Sequence, residues 1–351
     1  MAKHEICRST EDMTELAAKR WLLRRPPNGA PRAEDFELAT VRLAEPAEGE
    51  VRVRIAYHTV APGVRAKLSG RTYTTQVMPG DPIPGVGVGI VETSRHPGFA
   101  PGDAVVGELG WATAALCGGT ALQRLDPALF GDDVPIEAAI GPLGPAGLTA
   151  YFGLREIGRA AAGETVLISS ASGTVGSIAG QIAGIMGCRA VGIAGSADKA
   201  AVLVVDLGFA AAIDYRAATD LKTAIAAHCP SGVHVYFDNV GGEISDAALG
   251  NMRDFGRVIV CGQTSEYGRA EPRGIRAMTQ VVSKRLTLRG FIVYDFAAEF
   301  AAARAEIAGW LRAGTLRHRP TIIDGIDKSA DAFAGLFAAN SPAAALVRVG
   351  P

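Results

Sequence analysis

Residues 165–188 read TVLISSASGTVGSIAGQIAGIMGC, and the reading of this stretch decides the fold. An apolar run, Thr165–Ser170, leads into the turn SASGTVG at 170–176 and then into a segment with helical spacing. A dinucleotide pyrophosphate needs a tight strand-to-helix turn, a residue without Cβ where the backbone touches phosphate, and free N–H groups at a helix N-terminus. Gly173 and Gly176 stand at the second and third positions of G-x-G-x-x-G with Thr174 and Val175 between them, while Ala171 replaces the first glycine. Taken alone the motif also describes a glycine-rich packing turn, so its context carries the weight.

That context is regular. Further apolar runs follow at Arg189–Ala194, Ala211–Asp214, Val233–Asp238, Arg257–Cys261 and Thr287–Val293, each followed by a segment with helical spacing. Strands that are apolar throughout and separated by helices imply a doubly wound parallel sheet, here of six strands, covered on both faces. Upstream the pattern is different. From Lys19 to Asp126 short strands dominate: Val51-Arg52-Val53-Arg54-Ile55 alternates apolar and basic, as a strand with one wet face does, and Pro and Gly clusters punctuate the rest. A barrel-like β domain is expected there. Beyond Gly314 a strand at Pro320–Ile323, a helix at Ser329–Phe337 and a strand at Ala345–Val349 do not extend the six-strand set, so this tail is expected to return to the N-terminal part.

Whole-chain properties narrow the classes. A length of 351 residues suits about two domains at ~150 residues each. Lys+Arg 35 against Asp+Glu 36 gives a net charge of −1, which lacks the basic footprint of a nucleic-acid binder and points to a small-molecule ligand. Two charge-free stretches, Ala138–Leu154 and Thr165–Cys188, are too rich in Gly, Pro and Ser to read as membrane spans. The opening MAKHEICRSTEDM lacks the apolar core of a signal peptide and reads as a frayed tail, with Met13 an alternative start. Five widely spaced cysteines without a Cys-x-x-Cys pair support neither a disulfide framework nor a sulfur-rich zinc site, so a reduced, cytoplasmic protein is expected. His58, His96, His234 and His318 are scattered and read as structural.

Cofactor choice is read roughly 20 residues past the glycine turn, where an acid would bind the ribose diol of NAD. The second strand instead ends Gly195-Ser196, followed by Ala197-Asp198-Lys199. With no carboxylate at the strand end, Ser196 as a hydrogen-bond donor and Lys199 as a point charge fit a 2′-phosphate, so NADP(H) is preferred. Asp198 in the acid's role and Lys199 as a solvated helix lysine are the competing readings, and Lys199 is the one nearby cation that the sequence assigns to the phosphate.

The order of phrases resembles a known family. GLTAYFGL at Gly147–Leu154, the stretch Ala162–Cys188, VGIAGSADK at Val191–Lys199, LGFAAAIDY at Leu207–Tyr215, GVHVYFDNVGGEI at Gly232–Ile244, GRVIVCGQTSEY at Gly256–Tyr267 and KRLTLRGFIV at Lys284–Val293 are similar to the zinc-independent medium-chain dehydrogenase/reductase superfamily. Within it they resemble the prostaglandin reductase / leukotriene B4 12-hydroxydehydrogenase type, which includes NADPH-dependent curcumin reductases and alkenal double-bond reductases. The resemblance implies a GroES-like β-barrel catalytic domain at 13–135, a Rossmann NADP(H)-binding domain at 136–313 and a C-terminal return to the catalytic domain at 314–351. It also implies a homodimer joined through the last parallel strand.

Carried over by residue, Gly173, Thr174, Val175 and Gly176 would hold the pyrophosphate, Ser196 and Lys199 the 2′-phosphate, and Tyr215 the adenosine side. Asn239 would lie on the ligand-facing loop after the fourth strand, and Cys261, Gly262, Gln263, Thr264 and Ser265 would line the nicotinamide, as would Phe291, Ile292 and Val293, with Asn340 as a further contact. Tyr267 would project into the active site and stabilise an enolate. Blander readings stand beside these: Tyr267 as a loop aromatic, Asn239 as a helix cap, Cys261 as a buried strand end. Two departures touch substrate choice. An early Asp-Pro-aromatic-Met-Arg run of the family stands here as Ala61-Pro62-Gly63-Val64-Arg65, and its C-terminal Asn-x-Gly-Lys as Asn340-Ser341-Pro342-Ala343. The activity implied is NADPH-dependent reduction of the carbon–carbon double bond of α,β-unsaturated ketones or aldehydes. A quinone reductase and a non-catalytic NADPH-binding protein remain the alternatives, and a zinc alcohol dehydrogenase is disfavoured because Gly80–Glu92 offers no Cys or His.

Overall fold

Thr165–Ile168 is a strand buried along its whole length, as its unbroken apolar character requires of a central parallel strand. Around it a computed structural model, which describes residues 16–69, 75–267, 269, 271, 273–337 and 344–350, places six parallel strands. Their order across the sheet is Ala211–Asp214, Arg189–Ala194, Thr165–Ile168, Val233–Asp238, Met252–Val260 and Thr287–Gly290. The order reverses at Thr165–Ile168, whose neighbours are Arg189–Ala194 on one side and Val233–Asp238 on the other, in register at Leu167↔Val191 and Leu167↔Tyr236. Ligands of open parallel sheets bind at the carboxyl ends of the strands at such a switch point. The doubly wound expectation is met.

The N-terminal part forms antiparallel sheets. Glu50–Thr59 is its spine, pairing with Val86–Ser94, Ala114–Gly118 and Ala345–Arg348. Val51, Val53 and Ile55 point inward and are buried, whereas Arg52 and Arg54 lie on the other face, where both approach Glu92. The alternation read from the sequence is therefore the burial pattern. The C-terminal strands Thr321–Asp324 and Ala345–Arg348 close onto this sheet, and Phe333 meets Phe36 and Trp111 edge-on within the same core. His58, buried against Trp111, hydrogen-bonds Ser329 across the sheet, and burial lowers its pKa to about 4. It is therefore a neutral imidazole held within the core. Among the described residues no helix is long and apolar enough to cross a membrane.

One element differs from the sequence reading. The edge strand stops at Gly290 and does not run to Val293, because Asp295 turns the chain: its carboxylate accepts the Ile292 N–H at 3.2 Å, and a 3₁₀ helix, Val293–Glu299, begins there. Met13, Cys7 and Asn340 lie outside the described residues.

Candidate functional site

The turn at 170–176 joins the central strand to the helix Thr174–Ile185. Its glycine at 176 is obligatory: a Cβ there would stand 2.3 Å from the Ser170 carbonyl oxygen and 2.8 Å from the Ala171 Cα, both backbone. Ala171 tolerates a methyl group because its side chain is fully buried beneath Gly192. Ser170 has a positive φ of 49°, a backbone strain common where a turn is held open for a ligand. The first-turn amides of the helix, with Thr174, Val175 and Gly176, have no intrahelical acceptor and face the sheet's ligand edge.

A trench runs along that edge in two halves sharing Pro62, Ser170, Ser172, Thr264 and Leu336. The first half, a cleft of about 420 Å³, lies between the barrel wall at Thr59–Gly63 and the parallel sheet. It brings together Gly173, Thr174, Val175, Gly176, Asn239, Cys261, Gly262, Thr264 and Tyr267 from three separate segments. The second half, about 410 Å³, holds Lys199, Tyr215 and Ser265.

Other expected residues fall elsewhere. Ser196 caps the helix Ala197–Val205, its hydroxyl accepting the Lys199 N–H at 3.3 Å. Gln263 lines neither half, and its backbone N–H donates to the Tyr267 hydroxyl at 3.4 Å. Phe291, Ile292 and Val293 line neither half: Phe291 packs edge-on against Phe296, Ile292 is exposed and Val293 is buried. The early end of the edge strand turns all three away from the trench.

Two residues were missed by sequence reasoning. Arg216, immediately after Tyr215, lines the same half as Lys199, with its Nε 3.2 Å from the Tyr215 hydroxyl. Lys199 is therefore not the one cation there. Burial, and after it the Arg216 guanidinium, lowers the Lys199 pKa, so the two cations stand close enough to repel each other. The signal was present as a basic residue one position past the tyrosine.

The other is Asp238. Fully buried, its Oδ1 accepts the backbone N–H groups of Val240 (3.0 Å) and Gly241 (2.9 Å) and the Tyr236 hydroxyl (2.9 Å), while the Ser245 hydroxyl donates to Oδ2 at 2.5 Å. Its backbone oxygen accepts the N–H groups of Cys261 and Gly262. Asn239 beside it donates its side-chain amide to the Ser169 carbonyl at 2.8 Å, so it ties the turn to the glycine loop and caps no helix. The loop carrying Tyr267 hangs on the same turn: the Thr264 hydroxyl donates to Asn239 O and the Ser265 hydroxyl to Val240 O. Asp238 thus organises the turns beneath both halves of the trench.

Cys261 is a strand end. Burial, and secondarily Asp238, pushes its thiol up to about 12, so it stays protonated and is no nucleophile at neutral pH. Among the described residues no three His, Cys, Asp or Glu side chains converge to hold a metal. The trench does fit a dinucleotide phosphate: amide donors at the glycine turn, Lys199, Arg216 and Arg269 against the single acid Glu243 among the described residues of the far half, with Tyr215, and no acid at the end of the second strand.

Comparison with known proteins accords with this geometry. Residues 19–125 match a family described as the N-terminal domain of oxidoreductase, and residues 174–309 one described as zinc-binding dehydrogenase. Prostaglandin reductase 1 of Bos taurus is 37% identical over 94% of this chain and 99% of its own, and the 2-alkenal reductase (NADP(+)-dependent) of Nicotiana tabacum 34% identical over 92% and 95%. The crystal structure of CurA in complex with NADPH from Vibrio vulnificus superposes with a TM-score of 0.87 at 32% identity, covering 95% of this chain and 99% of that one. The chain belongs to the zinc-independent medium-chain dehydrogenase/reductase superfamily, in its prostaglandin reductase group, and is an NADP(H)-dependent oxidoreductase.

Proposed function

We propose that the protein reduces the carbon–carbon double bond of α,β-unsaturated ketones or aldehydes. Bound NADPH supplies the hydride, which the β-carbon accepts. The π electrons of the double bond move toward the carbonyl oxygen as an enolate, and the α-carbon then takes a proton. Tyr267 is the residue assigned to that oxygen: a neutral hydroxyl donor suits developing oxyanion charge, and a conjugated acceptor needs no metal to polarise it. The observation that carries this reading is that Tyr267 lines the cleft where the barrel wall meets the glycine turn, on a loop hydrogen-bonded to 239–240. The names of the relatives, prostaglandin reductase and 2-alkenal reductase, support it.

The test is NADPH consumption across enones, quinones and simple aldehydes, with and without a chelator. Enones are expected to turn over fastest and chelation to change nothing. Turnover of quinones alone would replace this reading with a quinone reductase; no turnover would leave a binding protein.

Lys199 and Arg216 are assigned to the 2′-phosphate. Lys199→Ala is expected to raise the NADPH KM and leave the NADH KM nearly unchanged. One charged hydrogen bond contributes about 1.5–3 kcal/mol, and because Arg216 remains, the single variant falls at the low end. Adding Arg216→Ala deepens the loss for NADPH only. Equal effects on both cofactors would remove this assignment.

A homodimer is also proposed. Among the described residues no strand pairs with the outer side of Thr287–Gly290, which ends the parallel sheet, and Ile292 and Tyr294 lie exposed just beyond it. Light scattering is expected to return twice the chain mass at micromolar concentration, and a monomer mass would count against the pairing.

A further inference from the structure

A second hollow lies between the barrel and the helix Phe300–Arg312, and it shares no lining residue with either half of the trench. It encloses about 190 Å³, below the roughly 300–1,000 Å³ of sites that hold drug-sized ligands, so it suits one ring or a short branched chain. Its walls are largely apolar. Val106, Leu125, Leu129 and Phe130 come from the N-terminal part, Ala139 and Leu143 from the segment that follows it.

Arg304 of the helix lines this hollow. Its Nε donates to the Leu143 carbonyl at 3.0 Å, and its guanidinium carbon stands 5.5 Å from the centre of the Phe300 ring, so the group is held on two sides. Among the described residues no carboxylate pairs with it. Glu306 on the same helix pairs with Arg155 at 2.6 Å, and Asp126, which lines the hollow, accepts the Ala128 N–H on Oδ1 at 2.9 Å. Arg124, the other cation of the lining, pairs with Asp103 at 3.7 Å. Neither Nη of Arg304 donates to a described protein group, and neither is sealed from solvent. Burial lowers the Arg304 pKa, with Tyr294 acting the other way, so the group has lost part of its hydration while keeping its charge at neutral pH.

We propose that this hollow binds a small monocarboxylate with an apolar body, an aromatic or branched acid, whose carboxylate pairs with Arg304. A guanidinium and a carboxylate form two parallel charged hydrogen bonds, and Arg304 has both Nη groups free of protein partners for them. The body gains by leaving water for Leu125, Phe130 and Leu143. Asp126 in the same lining repels negative charge, which favours a monoanion over a dianion.

The test uses the full chain saturated with NADPH, with benzoate as the probe and titration followed by ligand-observed NMR. Benzoate is expected to bind saturably. Benzamide, of similar shape without the charge, and acetate, with the charge but no ring, are each expected to bind about tenfold more weakly or worse. Arg304→Gln is expected to weaken benzoate by about tenfold or more, with Arg304→Lys intermediate because a point charge replaces the planar fork. Ala305→Phe, which adds a ring to the lining and leaves Arg304 in place, is expected to weaken benzoate by about tenfold. The NADPH dissociation constant stays within about twofold in all three variants, which separates a lost site from a damaged fold. Benzoate binding that neither Arg304→Gln nor Ala305→Phe changes would place the acid elsewhere and overturn the proposal. Benzamide or acetate binding as tightly as benzoate, or a wild type that binds no benzoate, would overturn it too.

Discussion

Replacing Tyr267 by Phe is expected to lower kcat on a good enone substrate by about 10²–10³ and to leave the NADPH dissociation constant nearly unchanged. The reason is where charge develops. A hydroxyl that meets the enolate oxygen strengthens its hydrogen bond as the oxygen gains charge, so its removal acts on the transition state more than on either ground state. The loop presents the tyrosine firmly, with Thr264 and Ser265 bonded to the 239–240 turn and the Glu266 carboxylate accepting the Arg273 N–H at 2.7 Å. Loss of the hydroxyl also removes the long Gln263 N–H bond to it, while the bonds of Thr264, Ser265 and Glu266 still hold the loop. Steady-state kinetics with a cofactor titration check this, and an unchanged kcat would make Tyr267 a wall of the pocket and no donor.

Asp238→Asn is the second large effect, and it acts on the site through the fold. The carboxylate oxygens accept two backbone N–H groups and two close hydroxyls at a fully buried position. Hydrogen bonds to a charged acceptor contribute about 1.5–3 kcal/mol each, and the amide loses the charge from all of them while turning a donor toward donors. A net loss of about 2–4 kcal/mol of stability is expected by calorimetry. The NADPH dissociation constant should rise by about tenfold as the 239–242 turn loosens under both halves of the trench. A destabilised variant with unchanged cofactor affinity would confine Asp238 to the core.

The parts of the molecule legible in the sequence are those whose cause is local. The parallel sheet was legible because each strand is apolar over its own few residues, and the glycine turn because the clash at Gly176 is with Ser170 and Ala171, close in the chain. The barrel spine was legible in five alternating residues, Val51 to Ile55. The edge strand was overextended because Phe291 and Val293 are apolar for another reason: they pack on the helical layer after Asp295 has turned the chain.

Arg216 and Asp238 escaped notice for related reasons. A basic residue after a tyrosine carries no periodicity, and its approach to the place beside Lys199 depends on how two neighbouring parallel strands end side by side. Asp238 reads as one acid at a strand end, and only the folded chain shows that five donors, the Ser169 hydroxyl at 3.3 Å among them, converge on it. By itself, then, the sequence determined the doubly wound sheet, the β-rich partner and the cofactor turn, because periodicity and close backbone approach act between near neighbours. Only the tertiary structure decided that the barrel segment 59–63 and Tyr267 of the sheet domain line one cleft, because that meeting depends on sheet pairing and packing between segments some two hundred residues apart.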